Sequence, residues 1–520
     1  MAKAKKAKNT SRKTTAKTAR KVRAKRTAAK STGKSRPKAT SGGTAAAGKA
    51  SPTAAPKAPP AGKQPAASEN ANIRVRMYRV GFGDFFLMTV PGKNGPAHIL
   101  IDCGVHAGNI GSMNDCVQDM KKATGGRLAL VILTHYHADH MSGFASNYND
   151  FAGLDVGAVW ITNRLDPANT PASKFMAQLT SVAQQLKMQL AARGDPAAME
   201  AQRKVGNALG VASEDGGGGS NAKALLLLQS GFKNKPPVYY YQGGDAPVLP
   251  DELKGMITAE LLGPSRKDSD GEFAASDNKT EQYLAAVGDS GVPDDSRVQP
   301  FDTKKWPATA VDYPARTFDE FDSGLLEQAR KPKDDGTSKL EDILAKMQPD
   351  ALAAAADKLD GTLNNQSLVV LFTCNGKKLL FVGDAQWGNW ASWLYGRAVT
   401  GSDPGISARA KDILGSIDFY KVGHHGSTNA TPIPAVGALN TVCACMCSTA
   451  SGWYGKPENN SEVPRIKLIA ALETRSGNRL IRSDWVPTKE EKADPDARQE
   501  LPALPKGFST PGELYIDYNL

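Results

Sequence analysis

The stretch Leu128-Ala129-Leu130-Val131-Ile132-Leu133-Thr134-His135-Tyr136-His137-Ala138-Asp139-His140 joins two signals. Residues 128–133 form an unbroken apolar run of strand length, the pattern of a strand buried on both faces. Four groups able to ligate a metal then follow within six residues. At the carboxyl end of a strand, where the chain turns toward a helix, such side chains can converge on one point. Imidazole and carboxylate are the donors that suit Zn²⁺, Fe or Mn²⁺. The chain has only seven histidines and three of them fall in this window, which argues against an accidental surface cluster.

Outward from this point, short apolar runs punctuated by Gly and Pro predict strands at 73–80, 85–90 and 98–102, with further strands at 158–162, 368–373, 378–382, 417–422 and 513–518. Helical patterns cover 112–123, with Ser112 as the cap, and about 172–193, 340–359 and 463–474. Strands alternating with helices indicate a layered α/β core. The region from about 195 to 359 is insertion-rich. It contains a four-glycine run at 216–219 and, from about 265 to 339, a stretch rich in Asp, Gly, Pro and Lys that is too long for an ordinary loop. No internal repeat is visible.

Around the histidine motif stand Val80-Gly81-Phe82-Gly83-Asp84, Ile99-Leu100-Ile101-Asp102-Cys103-Gly104, Leu261-Leu262-Gly263-Pro264, Asn364-Asn365-Gln366-Ser367-Leu368-Val369, Phe381-Val382-Gly383-Asp384-Ala385 and Lys421-Val422-Gly423-His424-His425-Gly426-Ser427. With the His-x-His-x-Asp-His signature, these motifs in this order resemble the metallo-β-lactamase superfamily, and within it the soluble hydrolase domain of ComEC-type DNA-internalisation proteins and its free-standing relatives. The resemblance spans about residues 73–518, interrupted by the insertions. It implies an αββα four-layer sandwich with long insertions over residues 71–520.

The resemblance further implies that His135 and His137 bind one metal, Asp139 and His140 a second, and that Asp384 bridges both. One histidine of the pair His424-His425 completes the second site. His424 is the expected ligand, because it follows the predicted strand 417–422 directly, and His425 then contacts substrate or supplies a proton. Asp102 is expected to orient the histidine motif from behind, or simply to cap a loop. One or two Zn²⁺ ions, or Mn²⁺, would lower the pKa of a bound water and stabilise charge on a phosphoryl or acyl oxygen. Asp139 and His425 are the candidate catalytic groups, and the Gly426-Ser427 turn with the Ser427 hydroxyl is a candidate phosphate contact. Two departures stand out. No histidine lies between His140 and His424, where many dinuclear members supply one, so Asn163 is a candidate substitute. The family's Tyr-Gly-His-Pro element reads Tyr454-Gly455-Lys456-Pro457, so Lys456 is a phosphate contact or an ordinary surface lysine.

Charge divides the chain in two. Among its 520 residues the formal charge is +12, but residues 1–70 hold 19 Lys and Arg against one acid, Glu69, a charge of +18, leaving −6 for the remainder. This tail has only Met1 and Val22 as large apolar residues and no aromatics, too little to offset the entropy of ordering it, and is expected to be disordered. Its Lys/Ala-rich make-up, with Lys5, Lys6, Arg23, Lys25 and Arg26, resembles histone-like tails in composition and suits salt-sensitive binding of nucleic acid or another polyanion. A featureless linker and a targeting segment are the alternatives. No run reaches the ~18 apolar residues of a membrane span. Cys443, Cys445 and Cys447 alternate along a predicted strand, which puts three thiols on one face. A metal cluster is conceivable there, but buried reduced cysteines fit better, and with them a cytoplasmic location. Trp387, Trp390 and Trp393 suit a helix packed into the core, or a platform for stacking bases.

Three functions follow as expectations: a metal-dependent phosphodiesterase or nuclease acting on DNA or RNA; a hydrolase of a small ester, lactone or nucleotide; and a DNA-associated binding protein with a degenerate site. The oligomeric state is not legible in the sequence.

Overall fold

Two mixed β-sheets carry the architecture of the computed structural model. It describes residues 72–191, 193, 195–210, 221–265, 349–395, 405–459, 461–485, 504–510 and 513–520, all within the unit Pro65–Leu520. The basic tail, the four-glycine run and nearly all of the stretch 265–339 lie outside the described residues.

The larger sheet has the order β13 (Phe508–Ser509), β14 (Tyr515–Asn519), β1 (Arg74–Tyr78), β2 (Phe85–Gly92), β3 (Gly95–Cys103), β4 (Arg127–Leu133), β5 (Asp155–Thr162) and β6 (Val238–Tyr241). Pairing is antiparallel up to β3 and parallel from β3 to β6. The smaller sheet runs β12 (Leu480–Arg482), β11 (Ala444–Cys447), β10 (Phe419–Lys421), β9 (Lys377–Phe381), β8 (Val369–Cys374) and β7 (Ile257–Gly263). Its strands β9 to β12 are parallel, and β7 and β8 antiparallel.

Alternation along the strands decides what each face buries. Met77, Met88, Ile99, Leu130 and Ile132 of the larger sheet share one apolar cluster with Val370, Phe372, Phe381, Phe419 and Met446 of the smaller. The residues in between, Tyr78, Leu87, Leu100, Val131 and Leu133, pack with helices α1 (Met113–Thr124), α2 (Ala138–Ser146), α3 (Tyr148–Ala152) and α6 (Asn221–Leu226). As expected, Ser112 caps α1, its hydroxyl accepting the Asp115 N–H at 3.3 Å. On the smaller sheet, Leu371, Leu380, Tyr420 and Cys445 pack with α8 (Trp387–Leu394), α9 (Ala408–Ser416), α10 (Ile433–Ala438) and α11 (Ile466–Arg475).

The three tryptophans of α8 are buried in this last cluster, and Trp390 donates to the carbonyls of Ala385 and Ala430 at 3.1 Å each. They are core residues, and no face of them is left as a platform for bases. Cys443, Cys445 and Cys447 are likewise buried together as free thiols, the bland outcome of the two foreseen.

A separate cluster joins α4 (Thr170–Ala191), α5 (Pro196–Leu209) and α7 (Pro349–Asn364) through Leu179, Leu186, Ala201, Val205, Leu359 and Leu363. The region 195–359 thus contributes ordered structure of two kinds: β6 and β7, which extend both sheets, and helices packed beside them. No helix among the described residues is long and apolar enough to cross a membrane.

Candidate metal centre

Parallel strands deliver their carboxyl ends to one place, where side chains from both sheets meet. The segment from Thr134 to His140 follows β4, Asp102 sits at the end of β3, Asp384 follows β9, and His424 and His425 follow β10. Asp84 enters from the turn before β2. The chain accepts unusual backbone there: Asp102, His424 and His425 all have positive φ (55°, 43° and 51°), a region non-glycine residues adopt only when the surroundings impose it. Gly104 answers a different need. A Cβ there would lie 2.5 Å from the backbone of Ala138, Asp139 and His140, so only glycine lets β3 and the histidine motif approach this closely.

Asp139, His140, Asp384 and His425, all buried, bring one ligand atom each to within 4.8 Å of one another; His135, His137 and Asp139 form a second such group, and Asp84, Asp102 and His140 a third. His425 Nε2 lies 3.2 Å from Asp139 Oδ2 and 3.3 Å from Asp384 Oδ2, and its Nδ1 faces the Ser448 carbonyl at 2.8 Å. His140 Nε2 lies 3.1 Å from Asp384 Oδ2, and its Nδ1 is held by Asp102 Oδ2 at 2.8 Å. Asp102 also accepts the Thr134 N–H at 2.8 Å and the Thr134 hydroxyl at 2.7 Å, and that hydroxyl meets His135 Nδ1 at 3.1 Å. This carboxylate therefore contacts the His140 ring directly and the His135 ring through Thr134.

Of the His424-His425 pair, His425 and not the expected His424 brings its ring into the buried cluster. The positive φ at both residues turns His425 inward to full burial and leaves His424 at the margin. The His424 ring contacts Asn364 Nδ2 at 3.1 Å, the Ser427 hydroxyl at 2.6 Å and Asn429 Oδ1 at 3.1 Å, while its backbone N–H donates to Asp384 Oδ1 at 3.0 Å. Ser427, expected to contact phosphate, is buried, and its hydroxyl is engaged with His424 and Asn429. Lys456 is exposed, with no side-chain contact to the cluster among the described residues. Asn163 donates through Nδ2 to Gln242 Oε1 at 2.7 Å.

Three participants went unpredicted. Lys421 is buried with its ammonium bonded to the Gly383 carbonyl at 2.8 Å, ion-paired to Asp84, and 3.3 Å from Asp384 Oδ1. Both Lys421 and Asp84 lie in quoted motifs, but neither residue type stood out beside the histidines. The third is Asp360 of α7, 3.7 Å from His137 Nε2 and 3.9 Å from His424 Nε2, in the interval where no histidine exists. Its position just before Asn364-Asn365-Gln366-Ser367 was the available signal.

Proximity separates the titrations. Burial opposes charge on His425, but Asp384, Asp139 and Asp84 together raise it to about 10. His140 is likewise raised against burial by Asp384, Asp102 and Asp84. Burial lowers His137 to about 4, with His140 adding to it against Asp139, and holds His135 low with its two histidine neighbours. Despite burial, His140 and His425 hold Asp139 and Asp384 below the ordinary carboxylate range. Burial raises Asp360 to about 6, the nearby His424 and Lys204 notwithstanding.

Whether these residues suit a metal is decided by atoms left without hydrogen-bond partners. His137 Nε2, Asp139 Oδ1, His140 Nε2 and Asp384 Oδ2 are buried and have none. Orphaned buried donors and acceptors are costly, and these four belong to groups that converge. A divalent cation would satisfy them, and the mixed imidazole and carboxylate set suits Zn²⁺ or Mn²⁺.

The chain matches no protein-family model and no curated protein. The α/β architecture and the buried His/Asp cluster are compatible with a metallo-β-lactamase-like fold.

Proposed function

We propose that the chain is a metal-dependent hydrolase of the metallo-β-lactamase type, with its sheets and flanking helices forming the αββα sandwich, and that it cleaves phosphodiesters of DNA or RNA in the manner of ComEC-type domains. The observation that carries this reading is the convergence of orphaned atoms from Asp139, His140 and Asp384 beside His425 at the carboxyl ends of β4, β9 and β10. A bound Zn²⁺ or Mn²⁺ would supply an activated water and a Lewis acid there. Asp139, His140, Asp384 and His425 would hold one ion, and His135 and His137 with Asp139 are placed to hold another.

The protein's own groups do the rest. Asp102 fixes the rings of His140 and, through Thr134, His135. Lys421 offsets the charge of Asp84 and Asp384, so that the acids can coexist before any ion binds. Asp360, raised to about 6 and standing beside His137 and His424 at the margin, is positioned to carry a proton to a leaving oxygen near neutral pH. The basic tail would concentrate such an enzyme on a polyanion.

A second reading is favoured by the depth of the cluster. His135, His140 and His425 are fully buried, and α5 and α7 close on the same cluster through Asn207 at Asp139 and Asp360 at His137, a setting that suits a small phosphoester or nucleotide better than a duplex. Metal-loaded protein assayed on single-stranded DNA, duplex DNA, RNA and small phosphodiesters separates the two. The nuclease reading expects polynucleotide cleavage with Mn²⁺ or Zn²⁺, abolished in His137→Ala and Asp384→Asn. Turnover of small esters with every polynucleotide left intact would overturn it in favour of the second.

A further inference from the structure

We propose that Arg203, on helix α5, anchors the anionic group of the substrate, so that the site is built for a phosphate ester and not for a neutral ester or lactone. The inference rests on the hydrolase reading and names the substrate's chemistry. Helix α5 is tied to the centre by Asn207, whose Oδ1 accepts the Asp139 N–H at 3.0 Å. Arg203 stands four residues earlier, on the same helical face. Its guanidinium carbon lies 5.7 Å from the ring centroid of Tyr454, and that buried ring packs at 4.7 Å on Phe82, which in turn lies 4.2 Å from the ring of His425. Two aromatic rings, Tyr454 and Phe82, thus stand in series between Arg203 and the ring of His425. The Tyr454 hydroxyl lies within electrostatic reach of Asp139, Asp360 and Arg203 alike.

The arginine is uncompensated. Its Nε is buried without a hydrogen-bond partner, and it forms no ion pair among the described residues. Its neighbour Lys204 shows the contrast, with Asp357 at 2.7 Å and Glu200 at 3.6 Å from its ammonium. A part-buried cation left unpaired is costly unless an anion arrives to pair with it. The forked guanidinium matches two phosphoryl oxygens, which a neutral carbonyl does not offer. The sequence offers Lys456 and Ser427 as candidate phosphate contacts; the structure offers a different cation, from a helix without a motif.

The test uses the full chain, zinc-loaded, with inorganic phosphate as the probe and calorimetry as the readout, alongside Michaelis kinetics on bis-(p-nitrophenyl) phosphate and p-nitrophenyl acetate. Charge-assisted hydrogen bonds of this kind correspond to roughly tenfold or more in affinity. Arg203→Gln is expected to weaken phosphate binding by at least about that factor and to raise KM for the phosphodiester, with zinc content and any acetate turnover unchanged. Arg203→Lys should fall in between, and Lys204→Gln should bind phosphate as wild type does. Phosphate affinity equal in wild type and Arg203→Gln overturns the proposal, as does a wild type that binds no phosphate. If no substrate is turned over but phosphate binding still depends on Arg203, the hydrolase reading fails and the anion site stands. Should Arg203→Gln lose its fold, as judged by circular dichroism, Arg203→Lys alone decides by the same comparison.

Discussion

His424 and His425 differ by one residue and by the whole of their surroundings. With Nδ1 on the Ser448 carbonyl, His425 has only Nε2 left to face Asp139 and Asp384, whereas His424 spends both ring nitrogens at the margin. His425→Ala is expected to reduce zinc affinity by two orders of magnitude or more, and His424→Ala to leave it within a few-fold of wild type, as measured by competition with a chelating dye. Asp102→Ala removes the partner of the His140 ring and of Thr134 without removing a proposed ligand, so its cost should be about 10–100-fold in zinc affinity. The same titration carries a proton signature. His425 is raised to about 10 in the metal-free cluster, so it is protonated at pH 7, yet it must be neutral to ligate. Zinc binding should therefore release protons, seen as a calorimetric heat that depends on the buffer's ionisation enthalpy, and affinity should fall as pH is lowered.

At the scale of elements, the carboxyl-terminal strand β14 is fastened to β1 by more than its ladder. Arg76 grips Asp517 with two hydrogen bonds, at 2.8 and 2.9 Å, and reaches Asp119 of α1 at 2.7 Å, an acid that also accepts from the Tyr78 hydroxyl at 2.8 Å. Arg76 and Asp517 are each 5% exposed, so removing one partner strands a buried charge. Asp517→Ala is expected to cost about 3 kcal/mol in urea unfolding, the lower end for a broken buried pair because Asp119 still satisfies one side of the guanidinium. The strand β11 offers a second test. Burial pushes the Cys447 thiol up, and does the same to Cys443 and, reaching about 12, to Cys116. A thiol reagent at pH 8 should leave the native thiols unmodified and react with all six after denaturation.

For the whole molecule, the charge of +12 belongs to two parts with opposite signs. The 450 residues after the tail are net acidic, and the excess of +18 lies in residues 1–70. Deleting that segment is expected to leave zinc affinity and melting temperature unchanged while abolishing the salt-dependent part of binding to DNA. A gel-shift series from 50 to 200 mM salt should show full-length affinity falling steeply and the truncated chain scarcely responding. Affinity insensitive to salt in the full chain would contradict a phosphate-neutralising tail.

The sequence by itself determined many of the strands and the residue types of the centre. Apolar runs of strand length announced β2 to β5 and β8 to β11, because a strand buried on both faces needs continuous apolar residues. The His-x-His-x-Asp-His motif announced its ligand types, because so few histidines exist elsewhere in the chain. Tertiary structure decided what depends on direction and on distant partners. Whether His424 or His425 turns inward follows from two positive φ angles, which no spacing encodes. Lys421, Asp360 and Arg203 matter because folding sets them beside groups tens to hundreds of residues away. Only there does the buried setting make an unpaired guanidinium or an orphaned carboxylate oxygen costly enough to imply a ligand.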